Sequence, residues 1–173
     1  VTTREGSADF DQVIMACHSD QALAMLANAT ATETEILGDL GYQDNDVILH
    51  RDTAIMPSRS LAWASWNFLA GERAEASAPV VTYCMNILQG LGNDDTFLVT
   101  LNAADKIDPD KIIQRFNYAH PVYSIASQHA QTRRAEICGQ DRIHYCGAYW
   151  YNGFHEDGVR SALDVCQRFG ESL

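Results

Sequence analysis

The chain has 173 residues, 46% of them hydrophobic, which is enough to bury the core of one domain or slightly more. It carries 12 Lys and Arg against 23 Asp and Glu, a formal net charge of −11 at pH 7. This acidic balance excludes nucleic-acid binding through a basic face and adhesion to anionic membrane surfaces. No apolar run is long enough for a membrane span, so we expect no stable membrane insertion.

Cysteine usage predicts a reducing compartment. The five cysteines are widely spaced, odd in number and without a Cys-x-x-Cys pair: Cys17, Cys84, Cys138, Cys146 and Cys166. That pattern is not typical of a disulfide framework or of a zinc site. We expect reduced thiols that fill the core of a cytoplasmic protein, and no metal site.

The first 40 residues predict a strand and two helices. Residues 12–17 form a continuous apolar run of the fully buried strand type. A short helix with Ser19 or Asp20 as its N-cap follows. A second helix is predicted from Thr32, with Glu35 at the spacing of a capping box.

The central part of the chain changes to strand-type patterns. Strands are predicted at residues 46–51, 60–69, 79–85 and 96–101. Both faces of the second strand carry large apolar side chains, so we expect it to be covered on both sides. The polar, alanine-rich stretch 71–78 predicts an exposed hairpin connection. Successive strands without long helices between them favour an antiparallel or mixed sheet.

The last third of the chain is predicted to be mainly helical. A helix begins at Asp108-Pro109-Asp110, and a longer one runs from about 124 to 138 and ends at Gly139. A strand follows at residues 143–146. The final helix has an apolar stripe formed by Val159, Ala162, Leu163, Cys166 and Phe169.

The connection between that strand and that helix is the main candidate for a ligand site. Gly147 at the end of the strand permits close approach of a flat ligand. The helix predicted near Asp157 offers free amides and a partial positive charge of about half a unit. An ordinary glycine turn capped by Glu156 or Asp157 is the alternative, and the local sequence by itself favours it.

Other catalytic motifs are missing from the sequence. His155-Glu156-Asp157 is not followed by a second histidine at helical spacing, so it is not a zinc-protease motif. The sequence contains no Gly-x-Ser-x-Gly elbow, no Walker loop and no Gly-x-Gly-x-x-Gly turn.

Several segments together resemble a known superfamily. Residues 10–23 resemble the strand and helix found midway through flavin-containing amine oxidases and related desaturases. Residues 145–148 and 153–162 resemble the last FAD-contacting segment of the same superfamily. Ala62 to Asn67, Thr82 to Asn86 and Tyr118 to Val122 narrow the resemblance to the bacterial group described as predicted NAD/FAD-binding proteins.

The resemblance implies that the chain is the C-terminal portion of such a protein. The glycine-rich half that binds the FAD pyrophosphate has no counterpart in this sequence. The implied fold is α+β, with a mixed, largely antiparallel sheet, flanking helices and remnants of a split FAD-binding α/β domain at both ends. Residues 1–41 and 139–173 then belong to the FAD-binding domain, and residues 42–138 form the substrate-binding domain.

The resemblance also implies which residues lie near the flavin. These cofactor contacts are Gly147, Ala148, Phe154, His155, Asp157, Gly158 and Val159. The candidates for the substrate pocket are the aromatic residues Trp63, Trp66, Tyr149, Trp150 and Tyr151. For Trp63 and Trp66, packing in the core is an alternative that explains these residues at least as well. One departure is that Ala148 and Tyr149 follow Gly147, where the superfamily commonly has an acidic residue.

Three functions follow, in decreasing order of expectation. The first is a fragment of an FAD-dependent oxidoreductase that removes hydride from a C–N or C–C bond of a small-molecule substrate, and that by itself is inactive and holds no FAD. The second is a non-catalytic domain that binds a small molecule or lipid. The third is a hydrolase with His155 as its base.

Overall fold

The computed structural model describes residues 1–70, 80–92 and 94–171. The strands in these ranges are β1 (Thr2–Thr3), β2 (Gly6–Ser7), β3 (Val13–Met15), β4 (Tyr42–His50), β5 (Trp66–Leu69), β6 (Val80–Cys84), β7 (Leu98–Leu101), β8 (Ile112–Pro121) and β9 (Ile143–Tyr145). The α-helices are α1 (Ser19–Met25), α2 (Ala31–Asp39), α3 (Met85–Gln89), α4 (Ile125–Thr132) and α5 (His155–Cys166).

The chain folds into two compact units. Unit 1 consists of residues 1–43 and 121–173, and unit 2 consists of residues 44–120. The fold is α+β with a largely antiparallel five-stranded sheet, as the sequence predicts. The second boundary differs from the predicted one at residue 138, because α4 packs against α2 and so belongs to unit 1.

Unit 1 is built on two short strands from opposite ends of the chain. β3 and β9 pair in parallel, with Val13 opposite Ile143 and Met15 opposite Tyr145. The side chains of Met15, Ile143 and Tyr145 pack into the core of the unit. The prediction of a fully buried strand was wrong for the other face, where the side chain of Ile14 is 49% exposed.

The helix starts of unit 1 lie close to the predicted positions but use other residues. His18, rather than Ser19 or Asp20, is the N-cap of α1. Ser19 is fully buried, and its hydroxyl donates to the carbonyl oxygen of Leu40 at 2.5 Å. This bond ties the start of α1 to the end of α2.

The capping box of α2 is Thr30 with Glu33, two residues before the predicted pair. The Glu33 amide donates to Thr30 Oγ1 at 3.1 Å, and the Thr30 amide donates to Glu33 Oε2 at 2.9 Å. The other carboxylate oxygen of Glu33 accepts the hydroxyl proton of Tyr145 at 2.6 Å. Glu33 is buried, and its carboxylate joins α2 to the core strand β9.

The sheet of unit 2 has the order β5-β6-β7-β4-β8. One face is buried and contains polar side chains among apolar ones: Ile48, His50, Thr82, Cys84, Leu98 and Thr100. The predicted strand 60–69 was wrong in its first half, where residues 60–62 form a 3-10 turn. Its predicted double coverage was also wrong, since Phe68 is 68% exposed.

The predicted helix after Asp108 is a strand. Asp108 caps only a short 3-10 turn, Pro109–Lys111, and β8 then runs beside β4. The β-branched and aromatic residues of β8 favour a strand over the helix that the Pro109 start signal predicted. The predicted hairpin connection 71–78 lies outside the described residues.

The remaining predictions concern helix ends, thiols and membrane spans. α4 is shorter than predicted and is followed by a 3-10 turn, with Gly139 at φ +85° closing the segment. All five cysteines are free thiols, and Cys84, Cys138 and Cys146 are buried. In the described ranges, no helix combines the length and apolarity needed to cross a membrane.

The buried Glu33 carboxylate predicts a pH dependence of stability. Burial raises the pKa of Glu33, but the hydrogen bonds from Tyr145 and Thr30 outweigh it and leave that pKa below its usual value. The ionised carboxylate therefore stabilises the fold above pH ~4.3, and this stabilisation is lost as the pH falls through the folded pKa.

The Glu33→Gln variant tests this dependence, because Gln can still form the capping box. We expect it to be less stable than the wild type by about 1 kcal/mol at pH 7, since it loses the charge on these bonds. Urea denaturation at pH 7 and pH 3 measures the effect, and the difference between the two proteins should nearly vanish at pH 3. An equal difference at both pH values would contradict the assignment.

Candidate functional site

The predicted ligand loop joins β9 to α5 and is held by hydrogen bonds from both. The amide of Cys146 donates to Met15 O at 3.0 Å, which extends the parallel pair. The next amide, that of Gly147, donates to the Ser161 hydroxyl at 2.8 Å. The same hydroxyl donates to Gly158 O at 2.9 Å. Ser161 thus fixes the end of the strand against the first turns of the helix.

The space beside Gly147 is filled by the protein itself. A Cβ atom at this position would lie 2.3 Å from Tyr149 Cε1. The glycine therefore permits close approach of the Tyr149 ring, whereas the sequence pattern predicted close approach of a flat ligand. Ala148 begins the short 3-10 turn that carries the ring into place.

Tyr149 and Trp150, two of the predicted pocket aromatics, lie in the core of unit 1. Their exposed fractions are 2% and 3%. Burial raises the pKa of Tyr149. The Tyr149 hydroxyl and Trp150 Nε1 have no hydrogen-bond partner within the described residues. Both side chains pack in the core of unit 1.

The first turn of α5 presents a different surface. The helix begins at His155, two residues before the predicted start, and Asp157 lies at its third position. The buried Asp157 carboxylate accepts the amide protons of Phe154 at 3.0 Å and Asn152 at 3.2 Å. The carboxylate therefore closes the loop that precedes the helix, and the acidic cap expected from the sequence is present.

Three of the predicted cofactor residues on this turn are exposed, whereas Asp157 is buried. Phe154 is 57% exposed, Val159 is 46% exposed and His155 is also exposed. A Cβ atom on Gly158 would have no atom within 4 Å. The amides of Asp157 and Gly158 donate to the carbonyl oxygen of Phe154, which leaves those of His155 and Glu156 without an acceptor inside the helix. This turn is therefore an exposed, partly apolar surface with two backbone donors.

The buried face of α5 differs from the predicted apolar stripe. Asp157, Ser161 and Val165, each four residues apart, are its buried residues. Val159 and Phe169 of the predicted stripe are exposed, whereas Ala162 of that stripe packs against the core. Sequence reasoning missed Ser161, because a small polar residue at helical spacing gives no hydrophobic signal.

Arg134 is a second site residue that the sequence analysis missed. Its guanidinium donates to the carbonyl oxygens of Tyr145 and Ser161, each at 2.8 Å, and to the Asp164 carboxylate at 2.7 Å. It also lies over the Trp150 ring, with Cζ 5.3 Å from the centroid. Arg134 therefore links the end of β9 to α5, and only the tertiary structure reveals this role.

A polar cavity lies beside the loop. Its volume is about 420 Å³, and its lining residues are Tyr123, Gln128, Gln131, Tyr151 and Asn152. The Gln131 side chain donates to Tyr149 O at 2.8 Å and to Tyr151 O at 2.6 Å, which holds the loop in one conformation. Gly153 has φ +87°, and a Cβ there would lie 2.4 Å from the Tyr123 hydroxyl.

The remaining pocket aromatics vary in their surroundings. Trp63, in unit 2, is partly buried and donates from Nε1 to Pro57 O at 2.7 Å. Trp66, also in unit 2, is 55% exposed and meets Tyr83 edge-on, with ring centroids 5.5 Å apart. Tyr151, in unit 1, donates to Asp164 at 2.5 Å and lies beneath the Arg160 guanidinium.

The described residues offer neither a nucleophile bonded to His155 nor a group of metal-ligating side chains. His155 is exposed and makes no side-chain hydrogen bond to a nucleophile within the described residues. In that same part of the chain, no three His, Cys, Asp or Glu side chains are grouped as a metal site would require.

Comparison with known proteins does not assign the chain to a family. No protein-family model matches the chain, and no curated protein is significantly similar to it.

The packing around Gly147 predicts opposite effects for two glycine substitutions. Gly147→Ala should destabilise the chain by about 1–3 kcal/mol, because the new methyl group overpacks against Tyr149. Gly158→Ala is the control and should stabilise the chain by about 0.5–1 kcal/mol, since Ala favours a helix and has room there. Thermal unfolding of both variants measures the difference, and equal effects would contradict this packing.

The guanidinium geometry of Arg134 predicts that lysine cannot replace it. Lys presents a single ammonium group and cannot bond two carbonyls and a carboxylate in the same fixed directions. We expect Arg134→Lys to cost about 2–4 kcal/mol in urea denaturation, since buried acceptors lose charged donors. Arg133→Lys is the control, because its partners Glu35 and Glu136 are exposed, and it should cost under about 1 kcal/mol. Similar losses in both variants would contradict the role given to Arg134.

Proposed function

We propose that this chain is part of a flavin-dependent oxidoreductase related to the amine oxidase superfamily. Unit 1 supplies the returning edge of a split FAD-binding domain, and unit 2 supplies the sheet that covers the substrate. The observation that carries the proposal is the parallel pairing of β3 with β9, which brings the two ends of the chain into one unit.

The parallel pair supports the proposal because parallel strands normally occur in larger sheets covered on both faces. β3 and β9 have only each other as partners within the described residues. Ile14 is 49% exposed on the face away from the core. A two-stranded parallel sheet with an apolar residue exposed is typical of one part of a larger α/β domain, which fits a split dinucleotide-binding fold.

The first turn of α5 fits the edge of a flavin, and the region around Gly147 does not. Gly158 leaves open the space that a Cβ would fill, and Phe154 and Val159 offer exposed apolar contacts beside it. The amides of His155 and Glu156 are positioned to donate to ring acceptors. Gly147 has no such space, since Tyr149 occupies it.

These residues would hold and orient the group, and a bound flavin supplies the hydride-accepting chemistry. The Asp157 carboxylate already lies at the helix N-terminus and offsets part of its positive charge. The amides, rather than a strong local positive charge, are therefore the main polar contribution of this turn.

Unit 2 offers an apolar surface suited to a small substrate. Trp66 lies opposite Tyr83 and Phe68 lies opposite Val81, so all four share one face of the sheet. Trp66 and Phe68 are more than half exposed. An exposed aromatic sheet face of this kind is common at binding sites.

Bound flavin in the longer protein tests the proposal directly. The product of the natural gene, including any residues that precede Val1, should be yellow when purified and should release FAD on denaturation. A colourless protein that takes up no added FAD would contradict the proposal and would favour a non-catalytic binding domain.

Gly158→Ala tests where the flavin lies. In the longer protein the added methyl group should weaken FAD binding about tenfold or more, because it enters the space proposed for the ring edge. Gly38→Ala is a matched control, since Gly38 also lies in a helix with no atom within 4 Å of its Cβ position. FAD titration of the two variants should separate them, and equal affinities would remove α5 from the flavin site.

A further inference from the structure

A buried chain of hydrogen bonds crosses one face of the unit 2 sheet. The amide of Asp52 donates to His50 Nδ1 at 3.1 Å. His50 Nε2 lies 2.7 Å from Thr100 Oγ1, which lies 2.8 Å from Thr82 Oγ1. His50 and Thr100 are fully buried, and Thr82 is 3% exposed. None of these four hydrogen-bonded residues belongs to the proposed flavin site.

The directions of the first two of these hydrogen bonds are fixed, because the Asp52 amide can only donate. Since His50 Nδ1 accepts that amide proton, the proton of the neutral ring must be on Nε2. Nε2 therefore donates to Thr100 Oγ1, whereas in the contact between the hydroxyls of Thr100 and Thr82 either oxygen can be the donor. Burial lowers the pKa of His50, against an opposing effect of the Asp52 charge, and so favours the neutral ring.

One hydroxyl proton of the Thr100–Thr82 pair is left without an acceptor. Whichever hydroxyl donates to the other, the described residues contain no acceptor for the remaining hydroxyl proton, and when Thr100 donates, that proton belongs to Thr82. A buried hydroxyl donor without a partner costs about 1–3 kcal/mol, so it marks a place where a partner is expected.

Thr82 lines a small cavity. The volume is about 150 Å³, and the other lining residues are Ile55, Met56, Pro57, Asn67, Phe68 and Leu69. Both amide protons of Asn67 are already donated, to Ala64 O and Thr82 O. Among the described side chains around the cavity, the Thr82 hydroxyl is thus the one donor that can bond a ligand, with Thr100 then donating to Thr82 Oγ1. Trp63 Nε1 donates to the carbonyl oxygen of Pro57, one of the lining residues, at 2.7 Å.

We propose that this cavity binds a small apolar molecule with a single carbonyl group, which accepts the hydroxyl proton of Thr82. A cavity of about 150 Å³ holds a molecule the size of benzene. The mostly apolar lining favours a ligand with a hydrocarbon body. The single donor, the Thr82 hydroxyl, favours a ligand with one hydrogen-bond acceptor. The site does not depend on flavin binding, because all of its residues belong to unit 2.

A matched pair of ligands tests the proposal. Cyclohexanone carries the acceptor, and methylenecyclohexane has the same shape without it. NMR titration of the 173-residue chain should show that cyclohexanone binds about 2- to 12-fold more tightly, as one net hydrogen bond predicts. Equal binding of the two ligands, or binding of neither, would overturn the proposal.

Two variants at Thr82 locate the preference. Thr82→Val removes the hydroxyl at constant shape and should abolish the preference for the ketone. Thr82→Ser keeps the hydroxyl and should retain it. A Thr82→Val protein that still prefers cyclohexanone to the same degree would overturn the proposal.

A measurement on the unmodified chain covers the case in which Thr82→Val does not fold. The ¹⁵N shifts of the His50 ring distinguish its two tautomers. The proposal requires the Nε2–H form near neutral pH, because only that form leaves one hydroxyl proton of the Thr100–Thr82 pair without an acceptor. An Nδ1–H ring would reverse the chain of donors and overturn the proposal.

Discussion

The hydrogen bonds that the Arg134 guanidinium donates are the interactions on which the rest of unit 1 depends. At the end of β9 the chain turns away from its parallel partner, and the carbonyl oxygen of Tyr145 needs a donor there. Arg134 supplies it and also binds Ser161 O and the Asp164 carboxylate on α5. Its side chain is only 14% exposed, so these bonds are shielded from water. A buried charge of this kind is tolerated because its acceptors are fixed around it.

The position of α5 then determines how the candidate site is built. Ser161 reaches the Gly147 amide only because the helix is held against the end of β9. With the strand end fixed, Tyr149 folds back over Gly147 and fills the space beside it. The two contact regions expected from the resemblance therefore differ: the strand end is closed by its own aromatic ring, and the first turn of α5 is open.

The sequence predicted the elements whose signals are local. The β9–α5 connection and the strands β4, β6 and β7 lie where glycine and apolar patterns predicted them, and α2 begins with a Thr capping box two residues before the predicted pair. The flavin contacts on α5 remain a prediction.

Other features depend on contacts that no local pattern encodes. Asp108-Pro109 has a helix start signal, but pairing with β4 makes the following residues a strand. The apolar stripe of α5 was misplaced, because its buried face carries Asp157 and Ser161, which bond to the loop. Arg134 and the polar chain from His50 to Thr82 involve partners far apart in sequence, so only the folded chain reveals them.

Hydrogen exchange of backbone amides tests the central claim most directly, namely that the first turn of α5 holds the edge of a flavin. The longer, flavin-loaded protein should be compared with the same protein stripped of flavin. We predict that the amides of residues 155–158 exchange more slowly when flavin is bound, whereas those of residues 31–34 at the start of α2 do not change. Unchanged exchange at residues 155–158, with flavin bound and protection elsewhere, would contradict the claim.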